Sequence, residues 1–304
     1  MSLKVFLELV EIKAKTASVL PFLLGVCFSY YYYHSLNWAN LLLFFIAMFL
    51  FNMSVDAWDN YNDYHNALDK EEYKQKTNII GRENLSPREV LWMLLGMAGV
   101  ATVLGLVLVV RTGWPLLLMG IFCFAVGILY SAGPRPLSSL PVGEFFSGFT
   151  MGGMIMLISI YINTYQEFTF DLSDLWRIAL LALPNMLWIS NLMLANNICD
   201  LAEDERNHRY TIVHYLGKKR ALQVYTAKNI LALVSLCSTP FIGLAPYTVL
   251  LIVLTLPFFY RQNKLLWEKQ VKNETFITAV KILAVGSFLQ VILYLLGILF
   301  DFIF

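Results

Sequence analysis

The stretch WANLLLFFIAMFLFNMSVDAWDNYNDYHNALDK, Trp38 to Lys70, passes from nearly pure hydrocarbon into acid without a break. Its first half is long enough to cross a bilayer, because about 30 Å of hydrocarbon at 1.5 Å per residue calls for roughly 20 apolar residues. Its second half carries Asn52, Asp56, Asp59 and Asp63, and lipid penalises carboxylates heavily. At 100° per residue these four side chains fall within about 60° of arc. They form one narrow stripe at the inner end of a membrane helix.

The rest of the chain agrees with a membrane setting. Of its 304 residues 58% are apolar, 15% aromatic and only 14% charged, whereas charged residues make up about 25% of soluble domains. Nine segments are long and apolar enough to span, near 16–34, 38–57, 89–110, 114–131, 142–163, 175–197, 221–240, 243–260 and 274–300. Backbone groups in lipid must be satisfied within the segment, so these are helices. The expected fold is all-α and polytopic, a single transmembrane domain over residues 1–304 with nine helices. Lys4, Lys13, Lys15, the cluster from Lys70 to Arg88, Arg135, the cluster from Arg206 to Arg220 and the run Arg261 to Lys272 all fall on one side of that arrangement. The opposite side holds only Arg111 and Arg177. The positive-inside rule then places the N-terminus in the cytoplasm and the C-terminus outside a cell membrane.

Several classes drop out. A net charge of +1 with no basic, aromatic-interleaved cluster leaves nothing to attract nucleic acid. Cys27, Cys123, Cys199 and Cys237 lack CxxC spacing and lie mostly in apolar runs, so they are expected to be packing residues. No short apolar core with a small-residue cleavage site opens the chain, and no signal peptide is expected. His34, His65, His208 and His214 show no metal spacing, although His208 shares an acidic helix face. Lys281 stands inside the last span, where an amine either faces the bundle interior or snorkels to the surface.

A second acidic block, NNICDLAEDERNHRYTIVHYLG from Asn196, closes the sixth span. There Asn197, Asp200 and Asp204 also cover about 60°, and Asp200-x-x-x-Asp204 repeats the spacing of Asp59-x-x-x-Asp63. Both blocks open long polar loops, about 58–88 and 197–220, and loops of that length in compact proteins usually carry function. Carboxylates one turn apart suit Mg²⁺, which takes one or two carboxylates and fills its remaining positions with water and phosphate oxygens. Two such stripes facing each other would hold divalent ions around a diphosphate. Either block alone reads equally well as helix caps and loop solvation; the matching spacing on one membrane side argues against that for the pair.

These blocks resemble the two Asp-rich motifs of the UbiA superfamily of membrane prenyltransferases. YSAGPRPLSSLPVGE from Tyr130 and the block from Asn196 are similar to stretches of its 1,4-dihydroxy-2-naphthoate polyprenyltransferase (MenA) branch, and IKAKTASVLPFLLG fits more loosely. The first motif departs from the usual Asn-Asp-x-x-Asp: here Asp59 and Asn60 are reversed, which keeps acid on the stripe and turns Asn60 about 100° away. The resemblance implies Mg²⁺-dependent transfer of a polyprenyl chain from its diphosphate to an aromatic acceptor. Asp59, Asp63, Asp200 and Asp204 would hold metal, with Asp56 a catalytic neighbour one turn earlier. Lys74, Lys76, Arg82 and Arg209 are candidates for clamping the diphosphate, each of them also explained by topology alone. Asn52 and Asn197 would orient ligands around it. Tyr130 would stabilise the allylic cation through its ring, with Tyr61 and Tyr64 next in line. The tail would lie between helices, open to the bilayer.

In that branch the acceptor is 1,4-dihydroxy-2-naphthoate, which loses CO2 to give a demethylmenaquinone. 4-Hydroxybenzoate or another phenol stays open. The rival from another class is an ion-coupled transporter, but transporters place their sites near the midplane and the acids here collect at helix ends. A catalytically silent scaffold is the third reading, and the retention of both acid blocks argues against it.

Overall fold

The computed structural model describes residues 1–66 and 73–303, without the side chains of residues 66, 73, 74 and 301–303. Its helices are α1 (Leu3–Leu9), α2 (Thr16–Tyr33), α3 (Trp38–Asn66), α4 (Ile79–Arg82), α5 (Pro87–Thr112), α6 (Trp114–Ser131), α7 (Gly143–Ser147), α8 (Ile155–Thr164), α9 (Leu172–Arg206), α10 (Ile212–Ser238), α11 (Leu256–Glu268) and α12 (Lys272–Ile303). A π-helical turn, Gly148–Met154, joins α7 to α8, and a 3₁₀ stretch, Tyr247–Thr255, leads into α11. Among the described residues there is no strand.

Among the described residues eight helical segments are long and apolar enough to cross a membrane, where the sequence predicts nine. The difference is α10. It runs from Ile212 to Ser238 with a break at Gly217, whose φ of 73° is not helical, and Gln223, Lys228 and Asn229 dilute its apolar character. Asn229 is buried, accepts from Asn191 at 2.9 Å and donates to Asn263 at 3.2 Å. A hydropathy reading counts that amide against the span, whereas in the bundle it joins helices.

The chain divides into two compact units, one of Met1–Ser18 and Trp38–Pro136, the other of Val19–Asn37 and the chain from Leu137 onward. In the first unit, α3 packs along α5. Its acid-bearing end is clasped by a cluster of Leu9, Ala57, Ile79, Ile80, Val90 and Leu94, with Trp58, Tyr61 and Tyr64 packed against it. Ala57, Tyr61 and Tyr64 lie about 80–200° around the helix from the acid stripe. Gripping that face leaves the carboxylates on the other one. It also assigns Tyr61 and Tyr64 to packing, with Trp58 stacked on Tyr61 at 5.9 Å.

In the second unit α9 is the hub. Pro184 lies inside it and cannot donate to the carbonyl of Leu180. The Ser235 hydroxyl of α10 donates to that carbonyl instead, at 3.0 Å. From α12, Gln290 donates to Leu181 O at 3.2 Å and accepts from Asn185 at 2.9 Å. The π turn comes so close to α9 that a Cβ on Gly148 or Gly152 would stand 2.3 or 2.6 Å from the Met186 backbone. Such small-residue contacts are how helices approach in lipid, where side-chain burial supplies little net drive.

Candidate active site

Helix α3 does not stop where its apolar run ends; it continues to Asn66 and carries Asp59 and Asp63 with it. Both are partly exposed. The upper part of the stripe is tied to the N-terminal segment. Lys15, only 2% exposed, donates to Asn52 O at 3.1 Å and Asn52 Oδ1 at 2.7 Å, and it pairs with the Asp56 carboxylate. A buried ammonium needs its protons matched, and these three oxygens match them. Asn60 turns away as its position predicts, donating to Leu9 O at 3.3 Å and Asp56 O at 3.1 Å. Asn78 donates to Asn60 O at 2.9 Å and caps α4 through Ile80 N–H. Thus position 60 has structural partners while Asp59 stays on the acid face.

Of the basic candidates in this unit, Arg82 binds Glu8 at 2.5 Å and Glu83 at 3.2 Å. Those hydrogen bonds, Glu8 foremost, push its guanidinium further above the ordinary value. Lys76 is exposed, and the Lys74 side chain lies outside the described ones. Tyr130 is partly buried in the last turn of α6.

The second stripe ends α9. That helix stops in a Schellman turn: His208 takes the left-handed conformation at φ 55, its N–H reaches Glu205 O at 3.2 Å, and Arg209 N–H reaches Asp204 O at 2.8 Å. His208 is therefore the helix terminator, and the turn brings Arg209 back over the acid. Its Nε lies 3.3 Å from Asp204 Oδ1, an ion pair without hydrogen-bond alignment. Tyr210 N–H donates to Ser139 O at 3.0 Å, fastening the turn to the 3₁₀ segment Leu137–Ser139. Asp200 pairs with Lys272 at the start of α12. Asn197, buried, donates to Glu144 Oε1 at 2.8 Å.

A hard divalent ion fits these donors. Asp204 is 6% exposed, yet its Oδ2 is buried without a hydrogen-bond partner; a buried lone carboxylate oxygen asks for a ligand. Among the described residues no three His, Cys, Asp or Glu side chains form a ready-made cage, and Mg²⁺ needs none, since phosphate and water complete its shell.

Sequence reasoning missed Lys15, Glu144 and Lys272. The two lysines look like ordinary positive-inside residues, and Glu144 carries no spacing signal. Lys281 is exposed beside Arg261 and Glu274 on the α11–α12 side, which fits snorkelling rather than an interior position.

The described residues define an all-α, multi-pass membrane protein whose helix ends carry spaced carboxylates beside basic side chains. More particularly, residues 18–298 match the UbiA prenyltransferase family, and the chain belongs to it. It is 30% identical over 245 residues to the 1,4-dihydroxy-2-naphthoate octaprenyltransferase of Bacillus subtilis (strain 168), covering 80% of this chain and 75% of that protein. The fold is that of a UbiA homolog from Aeropyrum pernix K1, with a TM-score of 0.70 and 19% identity over 94% of this chain and 98% of that one. A UbiA homolog from Archaeoglobus fulgidus, solved bound to GPP and Mg²⁺, superposes with a TM-score of 0.65 at 13% identity over 95% and 99%.

Proposed function

We propose that this prenyltransferase moves a polyprenyl chain from its diphosphate to 1,4-dihydroxy-2-naphthoate in a Mg²⁺-dependent reaction. The observation that carries the reading is the end of α9, where Asp204 holds a buried oxygen without a hydrogen-bond partner on the same face as Asp200 and Asn197. The 1,4-dihydroxy-2-naphthoate octaprenyltransferase of Bacillus subtilis, 30% identical over 80% of this chain, supports the choice of acceptor.

In this reading Asp59 and Asp63 on α3 and Asp200 and Asp204 on α9 hold the metal. Bound Mg²⁺ supplies Lewis-acid stabilisation of the charge that grows on the leaving diphosphate. Lys272 and Arg209, already beside Asp200 and Asp204, exchange carboxylate for phosphate oxygens, with Lys74 and Lys76 in supporting roles. Arg82 serves α1 through Glu8 rather than the phosphate. Asp56 acts through Lys15, whose charge it balances, and Asn52 and Asn197 hold the stripes in register. The Tyr130 ring faces the allylic carbon.

The C–O bond breaks with its electron pair leaving on the diphosphate. An electron pair of the acceptor ring forms the new C–C bond. The ring proton is lost to the medium. The acceptor carboxylate departs as CO2, and a proton takes its place on carbon, giving demethylmenaquinone at the quinol level. The enzyme sits in the cell membrane with the acid ends of α3 and α9 towards the cytoplasm. With α10 as a ninth crossing, the N-terminus is inside and the C-terminus outside.

The purified protein is expected to release diphosphate and CO2 together when given Mg²⁺, a polyprenyl diphosphate and 1,4-dihydroxy-2-naphthoate, and to stop on chelation with EDTA. Mass spectrometry across a panel of phenols checks the acceptor. Transfer to 4-hydroxybenzoate alone, without CO2 release, contradicts the choice of naphthoate, and turnover that survives EDTA contradicts the metal.

A further inference from the structure

Beyond the acid stripe the second unit contains a cavity of about 340 Å³ between α7, the π turn, α9 and α10. Phe145, Phe149, Met186 and Leu187 give it apolar walls. Two charged side chains interrupt them. Glu144 is 4% exposed and accepts from Asn197, and partly buried Lys228 donates to Ser190 Oγ at 2.7 Å. The two charges line the same cavity. An ammonium has three protons, and Ser190 takes one of them.

The cavity lies on the catalytic face of α9. Ser190, Asn197 and Asp204 are spaced by sevens, which keeps them within about 40° of one another around the helix. The Asn197 amide links the two regions directly, with Asp200 one turn further on and Glu144 at its own hydrogen bond.

An alkyl tail does not match this lining. Filling the cavity with hydrocarbon leaves an ammonium and a carboxylate desolvated without new partners, which costs several kcal/mol. A flat, hydroxylated aromatic acid matches each part: apolar walls for the rings, an amine for the carboxylate and a carboxylate to accept from a ring hydroxyl. Its volume lies at the small end of ligand pockets, about 300–1,000 Å³.

We propose that this cavity seats the aromatic acceptor, with Lys228 binding its carboxylate and Glu144 its hydroxyl. The proposal rests on the prenyl-transfer reading above and adds to it the acceptor's position and the residue that selects for an acid.

The test compares 1-hydroxy-2-naphthoate with 1-naphthol, the same rings without the carboxylate, by equilibrium binding to the full-length protein in detergent. Wild-type protein is expected to favour the acid. Lys228→Gln should weaken binding of the acid about tenfold, the worth of one charge-assisted hydrogen bond, and leave 1-naphthol unchanged. Lys228→Arg should retain the preference. The KM for polyprenyl diphosphate should not move in either variant. If Lys228→Gln does not fold, Ser190→Ala, which withdraws the hydroxyl that aims the amine, should show a smaller loss of the same sign. A preference for the acid that survives Lys228→Gln overturns the proposal. So does a change confined to the polyprenyl diphosphate KM, which would assign the cavity to the tail. Failure of wild-type protein to prenylate any aromatic acceptor is a separate result and overturns the function itself.

Discussion

Replacing Asp63 or Asp200 with Asn is expected to lower kcat by about 10²–10³ or more while the protein stays folded. Removing one group that stabilises transition-state charge costs that much in enzymes where it has been isolated, and an amide oxygen is a far weaker ligand for a hard dication than a carboxylate. The choice of these two positions follows from their surroundings. Asp63 is partly exposed. The partner of Asp200 is Lys272, whose side chain is half exposed and can return to water when the acid is gone. Asp204 is a poorer probe. Its side chain is buried against Arg209, so its loss would leave a guanidinium unpaired and mix folding with chemistry. Single-turnover assays with monodisperse variants check the expectation; activity within threefold of wild type in both would remove these acids from the site.

Lys15→Met is expected to destabilise the protein by about 3 kcal/mol, near the lower end of what breaking a buried ion pair costs. Lys15 is almost wholly enclosed, while Asp56 keeps some contact with water, its side chain 24% exposed. The loss leaves Asp56 and the Asn52 oxygens without their donor, next to Asp59 and Asp63 on the same face. The double variant Lys15→Met/Asp56→Asn should recover a measurable part of that stability, because neither charge then stays unpaired. Unfolding in mixed micelles provides the cycle. Additive effects of the two substitutions would show that the pair is not coupled and that Asp56 is free for another role.

The acid stripes were legible because a 3.6-residue repeat turns spacing into a face: 52, 56, 59 and 63 on α3, and 197, 200 and 204 on α9, need no tertiary information. The same arithmetic put Asn60 off the stripe, and it is found bonded to Leu9 and Asp56. What stayed hidden depends on partners remote in the chain. Lys15 meets Asp56 across 41 residues, and Lys272 meets Asp200 across 72; no local pattern distinguishes them from the other lysines that flank the spans. The span expected near 221–240 falls on α10, yet the helix falls short of the apolar test that eight other segments meet. Its polar residues lower its hydropathy, and only the fold reveals that Asn229 spends its amide on Asn191 and Asn263. His208 drew attention for its place beside the acids, whereas its backbone, left-handed at the end of α9, explains its position.

The central proposal is that Asp63 on α3 and Asp200 on α9 are each needed for divalent ions to bind with a diphosphate. Electron paramagnetic resonance of Mn²⁺ titrated into the purified protein, with and without a non-hydrolysable prenyl diphosphate analogue, tests it most directly. Tight Mn²⁺ binding should arise only with the analogue present and should vanish in Asp63→Asn and in Asp200→Asn alike. Undiminished analogue-dependent binding in the Asp63→Asn/Asp200→Asn double variant would contradict the account.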